Sequence, residues 1–154
     1  MMLKTLLATA LVALVATALV AVALPAVAAD GTEVFESVCA ACHQSGGTGT
    51  PGLAPPLVDP ALWQRLGDKA PDYIANIMIG GLTGTITAGG QGYYGLAMPS
   101  QAHLSDEELL AAANHVLQDL AGSKLAVTSD QIAAARAAPL DHKALIALRK
   151  GGTP

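Results

Sequence analysis

An all-α fold of a few short helices joined by long irregular loops is what this sequence predicts, on three observations. Helix starts are legible at Asp30-Gly31-Thr32-Glu33, Ser105-Asp106-Glu107-Glu108 and Thr128-Ser129-Asp130-Gln131, each a capping residue followed three positions later by Glu or Gln. Neither internal repeats nor strand-like alternation stand out along the chain. Two stretches, 44–60 and 82–97, are dense in glycine and proline or glycine alone. Loops of that length inside a small domain need something to wrap.

The elements follow in order. A first helix runs from about Asp30 to Cys42, with Phe35, Cys39 and Cys42 on one stripe that Val34 and Val38 broaden. The loop over 44–60 ends at a short helix from Pro60 to Leu66 that carries Trp63. Ala70-Pro71-Asp72 opens another helix, with Tyr73, Ile74, Ile77 and Met78 at helical spacing, and Gly80-Gly81 stop it. Residues 82–97 read as irregular loop with Tyr93-Tyr94, closing on Met98-Pro99. Ser105 caps the next helix, Glu108 completes its capping box, and Leu104 and Leu109 form the hydrophobic staple. Leu109, Ala113, Val116 and Leu120 make its apolar stripe, and Gly122 ends it. Beyond lie a short alanine-rich helix to about Ala138, broken by Pro139, and a last helix capped by Asp141 through Leu145 and Leu148.

The N-terminus has a different character. Lys4 precedes an apolar run from Leu6 to Leu24, then Pro25 and the small residues Ala26-Val27-Ala28-Ala29. That is the pattern of a secretory signal peptide cut after Ala29 or Ala28. An uncleaved anchor is the alternative, because the apolar run is close to the length of a membrane span. The expected division is a leader over 1–29, a domain over 30–121 and a helical extension over 122–154. The formal charge is −4, and −5 once Lys4 leaves with the leader. An acidic balance argues against nucleic acid and anionic membrane surfaces as partners; a membrane enters only if the leader stays.

Chemistry concentrates at Cys39-Ala40-Ala41-Cys42-His43. Two cysteines three apart on a helix share a face, and a histidine directly after the second makes the attachment signature of a c-type haem. Both sulfurs reach the vinyl groups of one porphyrin edge, and His43 stands ready as the proximal iron ligand. A redox cysteine pair would need a βαβ surround, and zinc would need about four ligands where no second cysteine pair exists. Haem c, bound once and covalently, is therefore the expected cofactor. No disulfide is expected.

With the leader, the motif near the mature N-terminus and Met98-Pro99 before a last core helix, residues 30–121 resemble a class I cytochrome c. The run from Gly80 through Pro99 is similar to bacterial periplasmic cytochrome domains. The resemblance implies a cytochrome c fold wrapped around one haem, electron transport in the periplasm and no catalytic residue. It implies Met98 as the sixth ligand, with Met78 as rival thioether and His103 as the alternative for bis-histidine ligation. It also implies the Pro55 carbonyl of Pro55-Pro56-Leu57 as acceptor for the His43 ring N–H, and Trp63 or Tyr73 as hydrogen-bond donor to a haem propionate. In the family the first helix crosses the last core helix at a glycine and an aromatic residue. Gly31 and Phe35 match, but the partner aromatic position holds His115, which makes the crossing less apolar. Val127-Thr128 and Arg136 resemble an extension found on some such domains. Expected partners are a redox donor and acceptor; a second reading makes the chain the cytochrome subunit of a dehydrogenase or reductase complex. Gas binding or peroxidase-like chemistry is the third reading, and it requires an open iron.

Overall fold

A computed structural model describes residues 28–153. The expected leader lies almost wholly outside them. No helix among the described residues is long and apolar enough to cross a membrane.

Helix α1 occupies 31–43. It starts as Gly31–Val34, widens into π-type winding over Phe35–Cys39 and closes as Ala40–His43. Asp30 caps it, its carboxylate accepting from the backbone N–H of Thr32 and Glu33. Helix α2 is Pro60–Leu66, capped by Asp59 with proline in its first turn. Helix α3 is Ala70–Gly80. Helix α4 starts as Asp106–Asn114 behind a complete Ser105–Glu108 capping box and continues with π-type winding over His115–Leu120. Helix α5 is Ser129–Ala137, behind the Thr128–Gln131 capping box, and α6 is His142–Arg149, capped by Asp141. Each predicted helix is present.

Helices carry the fold, as the all-α class requires, but 82–97 is not irregular. It forms a two-stranded antiparallel hairpin, β1 Leu82–Ala88 and β2 Gln91–Met98, with Leu82 opposite Met98 and Ala88 opposite Gln91. Leu82, Ile86 and Ala88 face inward while Thr83, Thr85 and Thr87 face out, the alternation of a half-buried strand. A register shift between Gly84 and Ile86 and the many glycines conceal that pattern in the sequence. Gly89 and Gly90, at φ 55° and 78°, form the two-residue turn, which needs positive φ at both positions.

The core is built where α1 crosses α4. A Cβ on Gly31 would lie 2.4 Å from the Ala111 carbonyl oxygen, so only glycine lets the two backbones approach this closely. Phe35 is fully buried, and its ring meets the His115 imidazole at 5.3 Å between centroids, tilted by 52°. His115 Nδ1 in turn pairs with Asp119 Oδ2 at 2.8 Å. The predicted crossing is therefore made, with its polar member tied off at the surface.

The segment after Gly122 shares this core: Val127, Ile132, Leu145 and Leu148 are buried in the same cluster as Phe35 and Leu109. Asn114 clamps its start, its side-chain oxygen accepting from Val127 N at 2.8 Å and its amide donating to Val127 O at 3.2 Å. Arg136 donates to the carbonyls of Ala102 and Leu104 and to the Asp106 carboxylate, tying α5 to the turn before α4. Leu140 N donates to Asn76 on α3, and Thr83 N on β1 donates to His142 on α6.

Candidate functional site

The α1 end, the 49–58 loop, α3 and the hairpin enclose a largely apolar cavity of about 1180 Å³, its open mouth included. Cys39, Cys42, His43, Pro55, Trp63 and Met98 all line it, so the structure brings these six expected site residues together.

The cysteines sit on the last turns of α1, Cys39 half-buried and Cys42 exposed, and both are unpaired. Burial, with a smaller effect from neighbouring Cys42, pushes the Cys39 thiol up to about 11, so it stays protonated at neutral pH. His43 is the last residue of the helix and is 8% exposed. Its Nδ1 lies 2.9 Å from the carbonyl oxygen of Pro55. A carbonyl only accepts, so Nδ1 carries the proton and Nε2 keeps the lone pair. Burial lowers the ring's pKa and the Pro55 bond opposes this, leaving the imidazole neutral at pH 7 with one nitrogen free to ligate. The chain turns sharply after it: Gly49 N donates to His43 O at 2.7 Å, and Thr50 Oγ1 donates to Cys42 O at 2.8 Å.

Met98 closes β2 and is half-buried. Its backbone is pinned to the end of α3. A Cβ on Gly81 (φ 71°) would lie 2.5 Å from Met98 O, Ser100 Oγ donates to Ile79 O and Gln101 N donates to Met78 O. Gly81 thus does two things, ending α3 and admitting the Met98 backbone. Only the first is visible in the sequence. Met78, the rival thioether, is 5% exposed on α3 and also lines the cavity. His103 is exposed and does not line it.

Trp63 lines the wall, but its indole N–H donates to Leu57 O at 2.6 Å. Its one donor therefore holds the loop rather than facing an anion. Tyr73, named with it as a propionate donor, is 2% exposed and accepts from Arg149 Nη1 at 3.2 Å. Arg149 is the site residue that sequence reading missed: it lies on α6, lines the same cavity and is 6% exposed. The available signal was a basic residue directly after Leu148 on the apolar side of a short helix.

An apolar slot with two thiols on one wall, a neutral imidazole beside them and thioethers beyond suits a flat apolar macrocycle holding a soft metal centre. The donor set fits a haem. The family model for cytochrome c matches residues 28–119. This chain belongs to the cytochrome c family, class I. It is similar to cytochrome c-552 of Thermus thermophilus, 32% identical over 127 residues, covering 79% of this chain and 95% of that protein. A second cytochrome c-552 of the same organism matches at 32% over 84% of its length. The fructose dehydrogenase cytochrome subunit of Gluconobacter japonicus is 33% identical over 113 residues, covering 70% of this chain but 22% of that subunit. Members of the cytochrome c family transport electrons on covalently bound haem c, so haem and its iron are this chain's cofactor.

Proposed function

We propose that this cytochrome carries single electrons between redox proteins in the periplasm, on one haem ligated by His43 and Met98. The haem supplies a one-electron Fe(III)/Fe(II) couple when bound. Cys39 and Cys42 would hold it through thioethers. His43 offers Nε2 as the proximal donor, held in that tautomer by Pro55. Met98 offers a soft neutral sulfur, which favours Fe(II) and raises the potential. Trp63 and the apolar walls keep water away, which limits reorganisation on electron exchange. The observation that carries this reading is the buried His43 bonded to Pro55 O at 2.9 Å, an imidazole with a single nitrogen left to ligate. If His43 and Met98 both held the iron, no position there would remain for a substrate, which argues against gas binding and peroxidase-like chemistry.

The test is spectroscopic. The expected result is thioether-type alkaline pyridine spectra, low-spin reduced and oxidised forms, and no change on adding carbon monoxide to the reduced protein. A carbon monoxide complex forming at neutral pH overturns the sealed-iron reading. Periplasmic export rests on the leader, and we place its cleavage at Ala29, leaving a cytochrome domain over 30–121 and an extension over 122–154. Intact mass of the mature protein from a cell fraction checks this; retention of Met1–Leu24 refutes it.

A second reading is favoured by the Gluconobacter likeness, which covers most of this chain. In it the cytochrome is the electron-accepting subunit of a dehydrogenase or reductase. Co-purification with a larger oxidoreductase from native cells supports it, and a lone monomer in every fraction refutes it.

A further inference from the structure

The hairpin that ends at Met98 has two strands, so β1 has a free edge on the side away from β2. Backbone groups along such an edge need partners other than a strand. Helix α6 covers this one. His142 Nδ1 accepts from the backbone N–H of Thr83 at 3.1 Å, and Thr83 Oγ1 lies against the same nitrogen. One turn later on the same face of α6, Ile146 approaches β1 so closely that a Cβ on Gly84 would stand 2.9 Å from its Cδ1. The two side chains therefore hold β1 at consecutive residues.

That grip lies beside the strand position of Met98. Leu82 stands opposite Met98 and Thr83 opposite Ala97, so His142 holds the residue next to Met98's own partner. A backbone N–H only donates, so Nδ1 must offer a lone pair, and an imidazolium has none. Imidazole is the side chain that ordinarily changes charge between about pH 5 and 8. Protonation would also place a positive charge in the first turn of α6, at the positive end of the helix dipole. The elements packed on α6 leave this end to the helix's own charges. β1 carries no titratable side chain. α3 comes to it at Gly80, beside Leu140 O, while Asp72 and Tyr73 lie near the opposite end of α3. α2 reaches α6 through Arg65, at the carbonyl of Arg149. Flanking His142 are Asp141, whose carboxylate accepts from Ala144 N, and Lys143, which opposes a further cation.

We infer that His142 is a positioning residue for the strand that carries Met98, a latch that holds β1 when neutral and releases it on protonation. The inference rests on Met98 as the sixth ligand, and it gives the extension a task other than docking a partner. The latch is closed above the titration of the imidazole and opens as pH falls through it.

The experiment mixes ferric holoprotein with cyanide at about pH 8 and at about pH 5 and follows binding optically, since cyanide reaches the iron only when Met98 is off it. His142→Asn keeps an acceptor oxygen that does not titrate, and His142→Leu removes the acceptor. Rates are compared within one pH, so the ionisation of cyanide and of the histidines common to every variant cancels. At pH 8 the unsubstituted protein and H142N are expected to agree within twofold, with H142L about three- to tenfold faster, the size of one net hydrogen bond. At pH 5 the unsubstituted protein is expected to join H142L while H142N stays slower by the same factor. Exchange of the Thr83 amide hydrogen, read by nuclear magnetic resonance, is expected to follow the same order. H142L within twofold of the unsubstituted protein at pH 8, or H142N joining the other two at pH 5, overturns the inference. The ferric iron–sulfur absorption at pH 8 separates the two levels. Its presence with equal rates removes only the latch, whereas its absence from the unsubstituted protein removes the Met98 reading as well.

Discussion

Adding one methyl group at Gly31 tests the packing on which the haem cleft is built. The new Cβ would stand 2.4 Å from Ala111 O, 2.9 Å from Ala111 C and 3.0 Å from His115 Cβ. Ordinary contact begins near 3.4 Å, so α1 and α4 must part by about 1 Å. Overpacking costs about 1–3 kcal/mol, and because the struck atoms are backbone the upper end, ~3 kcal/mol, applies. Better helix propensity and a less flexible unfolded chain return at most ~1 kcal/mol. The net loss is ~2 kcal/mol. For a domain of this size that lowers Tm by about 8 °C. Thermal unfolding of Gly31→Ala holoprotein, followed by far-ultraviolet circular dichroism, measures it. A Tm within 2 °C of the unsubstituted protein would show that the helices do not meet as described.

Three further outcomes follow from the same geometry. Gly81→Ala pushes against Met98 O and is expected to abolish the ferric iron–sulfur charge-transfer absorption while the thioether haem stays attached; a loss of Tm alone would reduce Gly81 to a helix stop. His115→Phe replaces an imidazole whose side chain is 11% exposed and whose partner Asp119 is 66% exposed, so little ion-pair energy is lost and an aromatic pair with Phe35 is gained. It is expected to raise stability by about 1 kcal/mol, and a fall in the denaturant midpoint contradicts this. Burial raises the Tyr73 pKa and the Arg149 charge opposes it only in part, so the folded state holds that proton to higher pH than the unfolded chain. The corresponding stability is complete below about pH 10 and is lost as pH rises from there through the folded value. Urea midpoints between pH 8 and 11 should fall less steeply in Tyr73→Phe, and an unchanged slope refutes it.

Local signals carried most of the fold. Capping boxes are short-range hydrogen-bond arrangements, so Ser105–Glu108 and Thr128–Gln131 can be read without knowing what the helices touch. The crossing at Gly31, Phe35 and His115 and the His43–Pro55 bond came from spacing that the family resemblance supplied, and the distances match it. The hairpin was hidden because a bulge and five glycines break the period of two, although Gly89-Gly90 between Thr-rich and Tyr-rich runs was a turn signal. Arg149 and the second task of Gly81 stayed out of sight for another reason. Each depends on a partner far away in the chain, Tyr73 and Thr87 for one and Met98 for the other. Locally Gly81 reads as a plain helix stop, and the only hint at Arg149 is its place directly after Leu148 on the buried side of α6.

A sealed iron, with His43 on one side and Met98 on the other, is the central claim. The most direct test compares Met98→Ala and Met78→Ala holoproteins for ferric iron–sulfur absorption, reduction potential and carbon monoxide binding. The expected result is that M98A loses the absorption, drops in potential and binds carbon monoxide when reduced, while M78A keeps the absorption and changes only in stability. An M98A protein with the unsubstituted potential and absorption, or the loss of both in M78A, contradicts the assignment.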